Sequence, residues 1–439
     1  MPIQIVVIGA GAAGLTAAIH AAGSGARVTL LNAHPKVGLK ILMSGGTRCN
    51  VTHHEVTERD YFGGSRHVVA RILRAFTPSQ TVEWFRAMGV ELKEEPSGKL
   101  FPISNSAETV LAALLAECTR NGVGLESGAR VVRLQSHGAQ FRLGIQTVSG
   151  SAVFDAAPAA HGEARWPLPG SEPDRWIEAD RVVVATGGLS FPRTGSDGTG
   201  YALLTALGHT LEPPVPALTP LASDDSLGII LQGVTLEVAL TLRVARKKTH
   251  ETRGSFLFTH FGYSGPAALD MSRHWLRAGS GPGAASRVVT ANFLPGSTED
   301  AIMAELLDAA RSAPQRILKR QFTPRLPERL VERLCEEAGL SGATTVGQVR
   351  REERAALVRC FCARDLRVNG TLGYEKAEVT AGGVRLSEVD PSTLESRVAP
   401  GLFLCGEVLD VEGRLGGFNF QWAWSSGTVA GRSAGRLVS

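Results

Sequence analysis

Residues 38–54, GLKILMSGGTRCNVTHH, gather Lys40, Ser44, Arg48, Cys49, His53 and His54 into one short segment. Three chemistries draw on such residues. A structural zinc needs four ligands, and no second Cys or His pair stands at a useful spacing, so no metal site is expected. A thiolate nucleophile at Cys49 needs an oriented base beside it, and residue order alone does not turn His53 towards it. The third chemistry is a loop whose glycines, Gly45 and Gly46, let the backbone close around a phosphate-bearing ligand, while Lys40, Ser44 and Arg48 supply charge and donors. Position favours the third, because the segment follows directly on the second strand of a nucleotide-binding unit.

That unit occupies the first 32 residues. IQIVVI (3–8) reads as a buried strand, Gly9, Gly11 and Gly14 form GxGxxG, LTAAIHAAGSG reads as an Ala-rich helix, and RVTLL (27–31) as the second strand. The first glycine permits a tight turn. The second lets the backbone, with Ala12 and Ala13, approach a pyrophosphate at the helix N-terminus, and the third allows close helix–strand packing. The fingerprint expects an acid at the end of the second strand to hold the ribose hydroxyls. Asn32 stands there, an amide that accepts one hydrogen bond and donates another. No second GxGxxG follows, so a separate nicotinamide domain is not expected.

Other segments converge on the same ligand. Thr186, Gly187 and Gly188 close a buried strand, RVVVA (181–185), as a backbone turn beneath the dinucleotide. Towards the C-terminus, Gly406 and Glu407 of GEVLD follow an apolar strand, with Glu407 placed to bond a ribityl hydroxyl. Gly416, Gly417, Phe418 and Asn419 then open a helix whose N–H groups suit the electron-rich edge of a reduced flavin.

These residues need elements to hold them. TPSQTVEWFRAMG predicts a helix with Thr77 as N-cap, Pro78 first and Gly89 at its stop, and SAETVLAALLAECTRNG (106–122) predicts another. Residues 151–175, rich in Ala, Pro and Gly, read as an excursion in a strand connection. After EPPVPALTP (212–220) the character changes. Val234, Leu236, Val238, Leu240, Leu242 and Val244 alternate with other residues, the pattern of a half-buried antiparallel strand. From Ser297 the periodicity turns helical, with SxxD as a start signal, and LPERLVERLCEEAG carries Pro327 near its start and Gly339 at its end. The final stretch returns to strand, Gly-rich turn and Gly-punctuated helix.

Composition sets outer bounds. The 439 residues are 43% hydrophobic and 20% charged, enough for two or three domains with sizeable cores. The formal charge is only +4, and residues 216–363 hold 19 Lys/Arg against 15 Asp/Glu, a net +4. Nucleic acid is therefore permitted as a partner but not required, and with no interleaving of basic and aromatic residues it is not expected. Six cysteines (Cys49, Cys118, Cys335, Cys360, Cys362, Cys405) lack CxxC spacing, which fits a reducing compartment. The chain runs almost at once into an apolar strand with no basic leader, and no apolar run suffices to span a bilayer, so a cytoplasmic location is expected.

Through VVIGAGAAGL, GLKILMSGGTRCNVTH, ATGGLSFPRTGSDGTGYALLTALGH, PALTPL, FTHFGYSGPAALDMS, VTAGGV and GLFLCGEVLDVEGRLGGFNFQWAWSSGTVAG, nearly the whole chain resembles the BaiN/RdsA-type FAD-dependent oxidoreductases, the insert-domain flavoproteins. The resemblance implies an α/β fold: a Rossmann-like two-dinucleotide-binding FAD domain from both chain ends (1–215 and 364–439), interrupted by a β-rich insert (216–296) and a small helical subdomain (297–363). It implies FAD as cofactor, held by the residues named above together with Asn50 and Val131. The chain departs from the family at Asn32, where an acid is usual, and at Leu39 and Thr47, where Arg and Gly are more frequent.

The reaction is less closely drawn. His260 and Tyr263, in FTHFGYSGPAALD, are candidate proton donors beside a flavin or packing residues of a turn, and Arg414 is a candidate cation near flavin or substrate. Cys360 and Cys362 read as core. No residue is singled out as catalytic acid or base. The expected activity is hydride transfer through flavin N5 to or from a small organic substrate, with NAD(P)H as a diffusible donor. Related enzymes suggest reduction of activated carbon–carbon double bonds or, from an aminoacetone-oxidase label, amine oxidation. The rival is a flavin-binding RNA-associated or scaffold protein; a nicotinamide-only dehydrogenase is a third reading, told apart by being colourless.

Overall fold

The computed structural model describes residues 2–138, 140–149, 172–279 and 286–436. The excursion expected over 151–175 lies outside them as far as residue 171. The chain forms two compact units, one of Met1–Pro216 with Ala377–Ser439, the other of Ala217–Lys376.

The first unit is built on a five-stranded parallel sheet in the spatial order Leu402–Leu404, Arg181–Val184, Gln4–Ile8, Arg27–Asn32 and Gly124–Ser127. The three inner strands read IVVI, VVV and VTLL because both faces are covered, which removes the polar alternation of a half-exposed sheet. Val7, Leu30, Val182, Val183 and Val184 are fully buried. The edge strand Leu402–Leu404 arrives from the far end of the chain, pairing Val183 with Phe403.

Against this sheet lie the first helix, Ala12–Ala22, and the last, Phe418–Gly435. They touch backbone to backbone: a Cβ added at Gly427 would stand 2.6 Å from the Ala13 carbonyl oxygen, and one at Gly431 would overlap that of Ala17. The last helix is buried along most of its length and carries polar groups that the core must satisfy. Gln421 ties it to three other segments, accepting from Thr52 Oγ1 (2.6 Å) and Thr81 Oγ1 (3.0 Å) and donating to the Phe76 carbonyl (3.1 Å), and donates within its own helix to Ser425 Oγ (3.0 Å). Trp424 Nε1 donates to the Val51 carbonyl and Trp422 Nε1 to that of Gly406.

Local signals act as sequence chemistry dictates. Thr77 caps Pro78–Ala87 in a reciprocal capping box with Gln80. In the second unit the helix Glu299–Ser312 takes Thr298 rather than Ser297 as its cap, the hydroxyl accepting from the Ala301 N–H. The alternating run becomes the strand Thr235–Val244, central in a seven-stranded antiparallel sheet. Short strands at Arg364–Asp365 and Val368–Thr371 close the two edges of that sheet. Helices Pro266–Ala278, Glu299–Ser312, Glu328–Glu337 and Arg351–Cys362 share one buried core with it, in which Phe322 stacks on Phe361 and Phe256 on Tyr263.

One ion cluster lies inside that core. Arg364 donates to Asp225 Oδ2 (2.6 Å) and to both carboxylate oxygens of Glu337 (2.8 and 3.0 Å). Burial pushes the Asp225 carboxyl up, but Arg364 and the Leu227 N–H outweigh it and hold it below the ordinary range.

Two outcomes follow. Gly431→Val forces a side chain into the Ala17 backbone and is expected to cost about 3 kcal/mol in urea unfolding. Asp225→Asn leaves part of the Arg364 charge unpaired and is expected to cost about 3 kcal/mol at pH 7. Because the folded carboxyl is depressed, its contribution is present above the unfolded pKa and disappears as pH falls through the folded one. The gap between wild type and Asp225→Asn in unfolding midpoint should therefore close on acidification.

Candidate functional site

The three fingerprint glycines serve different neighbours. Gly9 has φ +103°, and a Cβ there would stand 2.5 Å from the Ala185 carbonyl oxygen, whereas one at Gly14 would overlap the Gly9 carbonyl. Gly11 meets nothing within 4 Å, so the protein itself gives no reason for a glycine there. Behind it the first helix has no side-chain cap, leaving first-turn N–H groups to be satisfied from outside. Ala12 and Ala13 open that turn. Asn32 accepts from the Ala10 N–H (3.2 Å) and donates to the carbonyls of His34 (2.6 Å) and Lys36 (3.1 Å). Its amide shapes the loop after the second strand, a task for which a carboxylate lacks the N–H donors.

The SGG segment begins as a helix at Leu39 and then reverses hand. Ser44 turns extended at ψ 150°, Gly45 and Gly46 lie at φ +56° and +67°, and Thr47 and Cys49 follow at +68° and +59°. For Thr47 and Cys49 this conformation costs energy, so their surroundings must impose it. Cys49 is fully buried, and burial pushes its thiol up to about 12. A thiol so protonated is no nucleophile at neutral pH. Asn50, with its amide turned to donate to the Thr52 carbonyl (2.9 Å), accepts the Gly417 N–H (3.1 Å) and ties the loop to the start of the last helix. Arg48 faces away from that helix, pairing with Glu95 (2.6 Å) over the Phe101 ring. His53 stacks on Phe418 at 4.8 Å, and His54 is exposed beside Glu94. Among the described residues no group of three or more His, Cys, Asp or Glu is placed to hold a metal ion.

Lys40 and Glu407, far apart in the chain, meet at 2.9 Å. Lys40 Nζ also donates to Ser190 Oγ (2.7 Å), and Glu407 Oε1 accepts from Ser190 Oγ (2.9 Å) and the Thr380 N–H (2.9 Å). Thr380 Oγ1 in turn accepts from the N–H groups of Leu189 (2.7 Å) and Ser190 (3.1 Å). Glu407 thus shares its carboxylate with three protein donors, more than the ribityl contact read from sequence. A Cβ on Gly188 would come within 2.9 Å of Glu407 Oε1, while Gly187 takes φ +74°. Thr186 Oγ1 is buried with no hydrogen-bond partner among the described residues. Glu378 lies beside this network, exposed and near Lys40 and Lys99, its carbonyl accepting from Ser190 Oγ (3.4 Å). Ser190, Thr380, Glu378 and Lys99 were not singled out in sequence, although LSFP and VTAGGV carry two of them.

At the C-terminal segment, Gly416 and Gly417 hold φ +134° and +94°, and the last helix starts with no side-chain cap. Phe418 is buried, and its carbonyl accepts from Tyr61 OH (2.7 Å). Asn419 closes the preceding turn through the Gly413 N–H (2.8 Å) and carbonyl (3.0 Å). Arg414 pairs with Asp60 (2.8 Å) and covers the Phe418 ring. Gly406 packs on Ala13 and donates its N–H to Ser426 Oγ (3.0 Å). Val131 is buried in the strand Ala129–His137, so only its backbone is available to a ligand. In the other unit Tyr263 is buried, its hydroxyl 3.3 Å from Asp225 and its pKa raised by burial, while His260 is exposed.

An open glycine before an uncapped helix, a buried hydroxyl without a partner and glycine turns from both chain ends define a dinucleotide-binding flavoprotein of the Rossmann type; the open face and the unmet donors fit an FAD. The HI0933-like protein Rossmann domain matches residues 3–177 and 172–433, and the chain belongs to that family. It is 34% identical over 98% of both chains to a 3-dehydro-bile acid delta(4,6)-reductase of Clostridium scindens. It is also 33% identical to a ribosomal RNA dihydrouridine synthase of Escherichia coli, over 96% of this chain and 95% of that one. A solved 3-ketosteroid-delta4-(5alpha)-dehydrogenase of Rhodococcus jostii aligns over 99% of this chain and 97% of its own at 15% identity and TM-score 0.48. The protein is an FAD-dependent oxidoreductase.

Gly11→Val should fold as wild type, since nothing in the protein opposes the side chain, yet purify without flavin absorbance. Cys49→Ala should keep its flavin, and native wild-type Cys49 should resist alkylation at pH 8.

Proposed function

We propose that the protein reduces a carbon–carbon double bond conjugated to a carbonyl, with NAD(P)H as a diffusible hydride donor. The observation that carries this reading is what the two relatives' reactions share: a 3-oxo-4,6-diene and a uracil ring both present a double bond made electrophilic by a carbonyl. Such a bond takes a hydride at the carbon remote from the carbonyl and a proton at the nearer one.

In this reading Gly9, Gly11, Ala12 and Ala13 would hold the FAD pyrophosphate, where uncapped N–H groups would offset its charge. The adenosine end rests by Asn32 and the Val131 backbone. Ser44, Gly45 and Gly46 border the ring system, and Asn50 holds that loop to Gly417. Thr186, Gly187 and Gly188 run beneath the cofactor, with the Thr186 hydroxyl as a donor. Gly416, Phe418 and Asn419 bring the last helix's first turn to the electron-rich edge of the reduced ring. Gly406 seats the turn that carries Glu407, and Glu407 holds Lys40 at the site. Arg48 belongs to the outer wall. When bound, FAD would supply two-electron hydride chemistry between the nicotinamide and the double bond. Six free thiols suit a reducing, cytoplasmic setting.

Anaerobic reduction tests this directly. NADPH or NADH should bleach the bound flavin, and a cyclic enone such as 2-cyclohexenone should restore its colour without oxygen. Bleaching by amines in place of nicotinamide would sink the proposal.

A further inference from the structure

The sheet of the inserted unit carries a long ribbon-like hairpin, Thr235–Val244 paired with Lys247–Thr259, whose first strand also pairs with Arg287–Asn292. Between residues 243 and 253 it holds Arg243, Arg246, Lys247, Lys248 and Arg253 against the single acid Glu251, a net +4. Outside this ribbon end, residues 216–363 hold fourteen basic and fourteen acidic residues, so the positive excess of that whole stretch is concentrated in eleven positions. All five cations are exposed. Lys248 is paired with Glu251 at 2.5 Å, whereas Arg243, Arg246, Lys247 and Arg253 form no ion pair among the described residues.

The tip is held in shape. Val244 pairs with Lys247, and the two residues between them, Ala245 and Arg246, both take positive φ, +48° and +67°. Two-residue turns of this geometry favour Asn-Gly, which enter it without strain. Here an arginine occupies the second position and is held at the outermost point. A register shift between Leu242 and Arg243 sets Arg243 opposite Lys248, so cations face one another across the ribbon. Like charges opposed across strands are unfavourable, and here Glu251 offsets Lys248 while Arg243 has no carboxylate of its own among the described residues.

We propose that this ribbon end is a contact surface for the phosphate backbone of a structured RNA. A lipid surface fits less well, since Val244 and Ala245 are the only apolar residues from 243 to 253 and no aromatic is there to enter an interface. RNA is chosen over DNA because a uracil ring is among the acceptors of the proposed reaction, and in that choice alone the inference rests on the reading above. Phosphates read by cations give affinity without sequence preference and a steep dependence on salt.

The test uses the FAD-loaded full chain and fluorescence anisotropy with a labelled RNA stem-loop between 50 and 200 mM KCl. Wild type should bind, and R243Q/R246Q/K247Q/R253Q should bind at least tenfold more weakly at the lower salt. The slope of log affinity against log salt should flatten by about 3, at about 0.7–0.9 for each phosphate that the variant no longer neutralises. Flavin content and enone reduction should match wild type in that variant. R311Q/R320Q/R351Q/R359Q, which removes the same charge from exposed helical positions, should bind RNA as wild type. The inference is overturned if the ribbon variant binds RNA normally, if the helical variant weakens as much, if a DNA stem-loop of the same sequence binds equally, or if phosphatidylserine vesicles displace the RNA. Loss of enone reduction with intact RNA binding would instead defeat the redox proposal alone.

Discussion

The approach of the first and last helices, close enough that Gly427 and Gly431 rest on the carbonyls of Ala13 and Ala17, is the constraint on which the rest of this unit depends. Without it the strand Leu402–Leu404 has no reason to lie beside Arg181–Val184, and the C-terminal glycine turn has no fixed place relative to the N-terminal one. Backbone contact of this kind admits no slack, because a single methyl group would push the helices apart. The buried polar groups of the last helix add direction to the closeness. Gln421 binds four partners that apolar packing alone would not have oriented.

The Lys40–Glu407 pair carries that constraint into the site. Its partners come from the loop after the second strand, the turn after Arg181–Val184, the strand Val379–Val384 and the C-terminal turn. An ion pair satisfied on both sides by further hydrogen bonds lets two opposite charges be held half-buried. It also means that this charge arrangement is in place in the protein itself, held by Ser190 and Thr380.

Much of this was legible in the chain. The βαβ opening, the capping box at Thr77 and the alternating strand from 235 to 244 follow from periodicity and capping chemistry, which are local. The family and its cofactor followed from motifs at both ends. What sequence did not disclose was partnership. The Asn32 amide also bonds to Ala10, His34 and Lys36, and Arg48 also meets Glu95 and Phe101, partners that their positions in the chain do not reveal. Ser190 and Thr380 carry no signal of their own, since a lone hydroxyl acquires meaning only from what folding sets beside it. Cys49 beside two histidines suggests reactivity, and only burial shows that its thiol stays protonated.

The division of the chain has a consequence for how it is made. Residues Ala217–Lys376 are contiguous, so that unit is complete while the remaining 63 residues are still to be synthesised. The flavin unit meanwhile lacks an edge strand and its last helix, which leaves the edge of Arg181–Val184 and the face of Ala12–Ala22 uncovered until residues 402–435 follow. The order of the chain therefore completes the segments of the inserted unit before those of the parallel sheet.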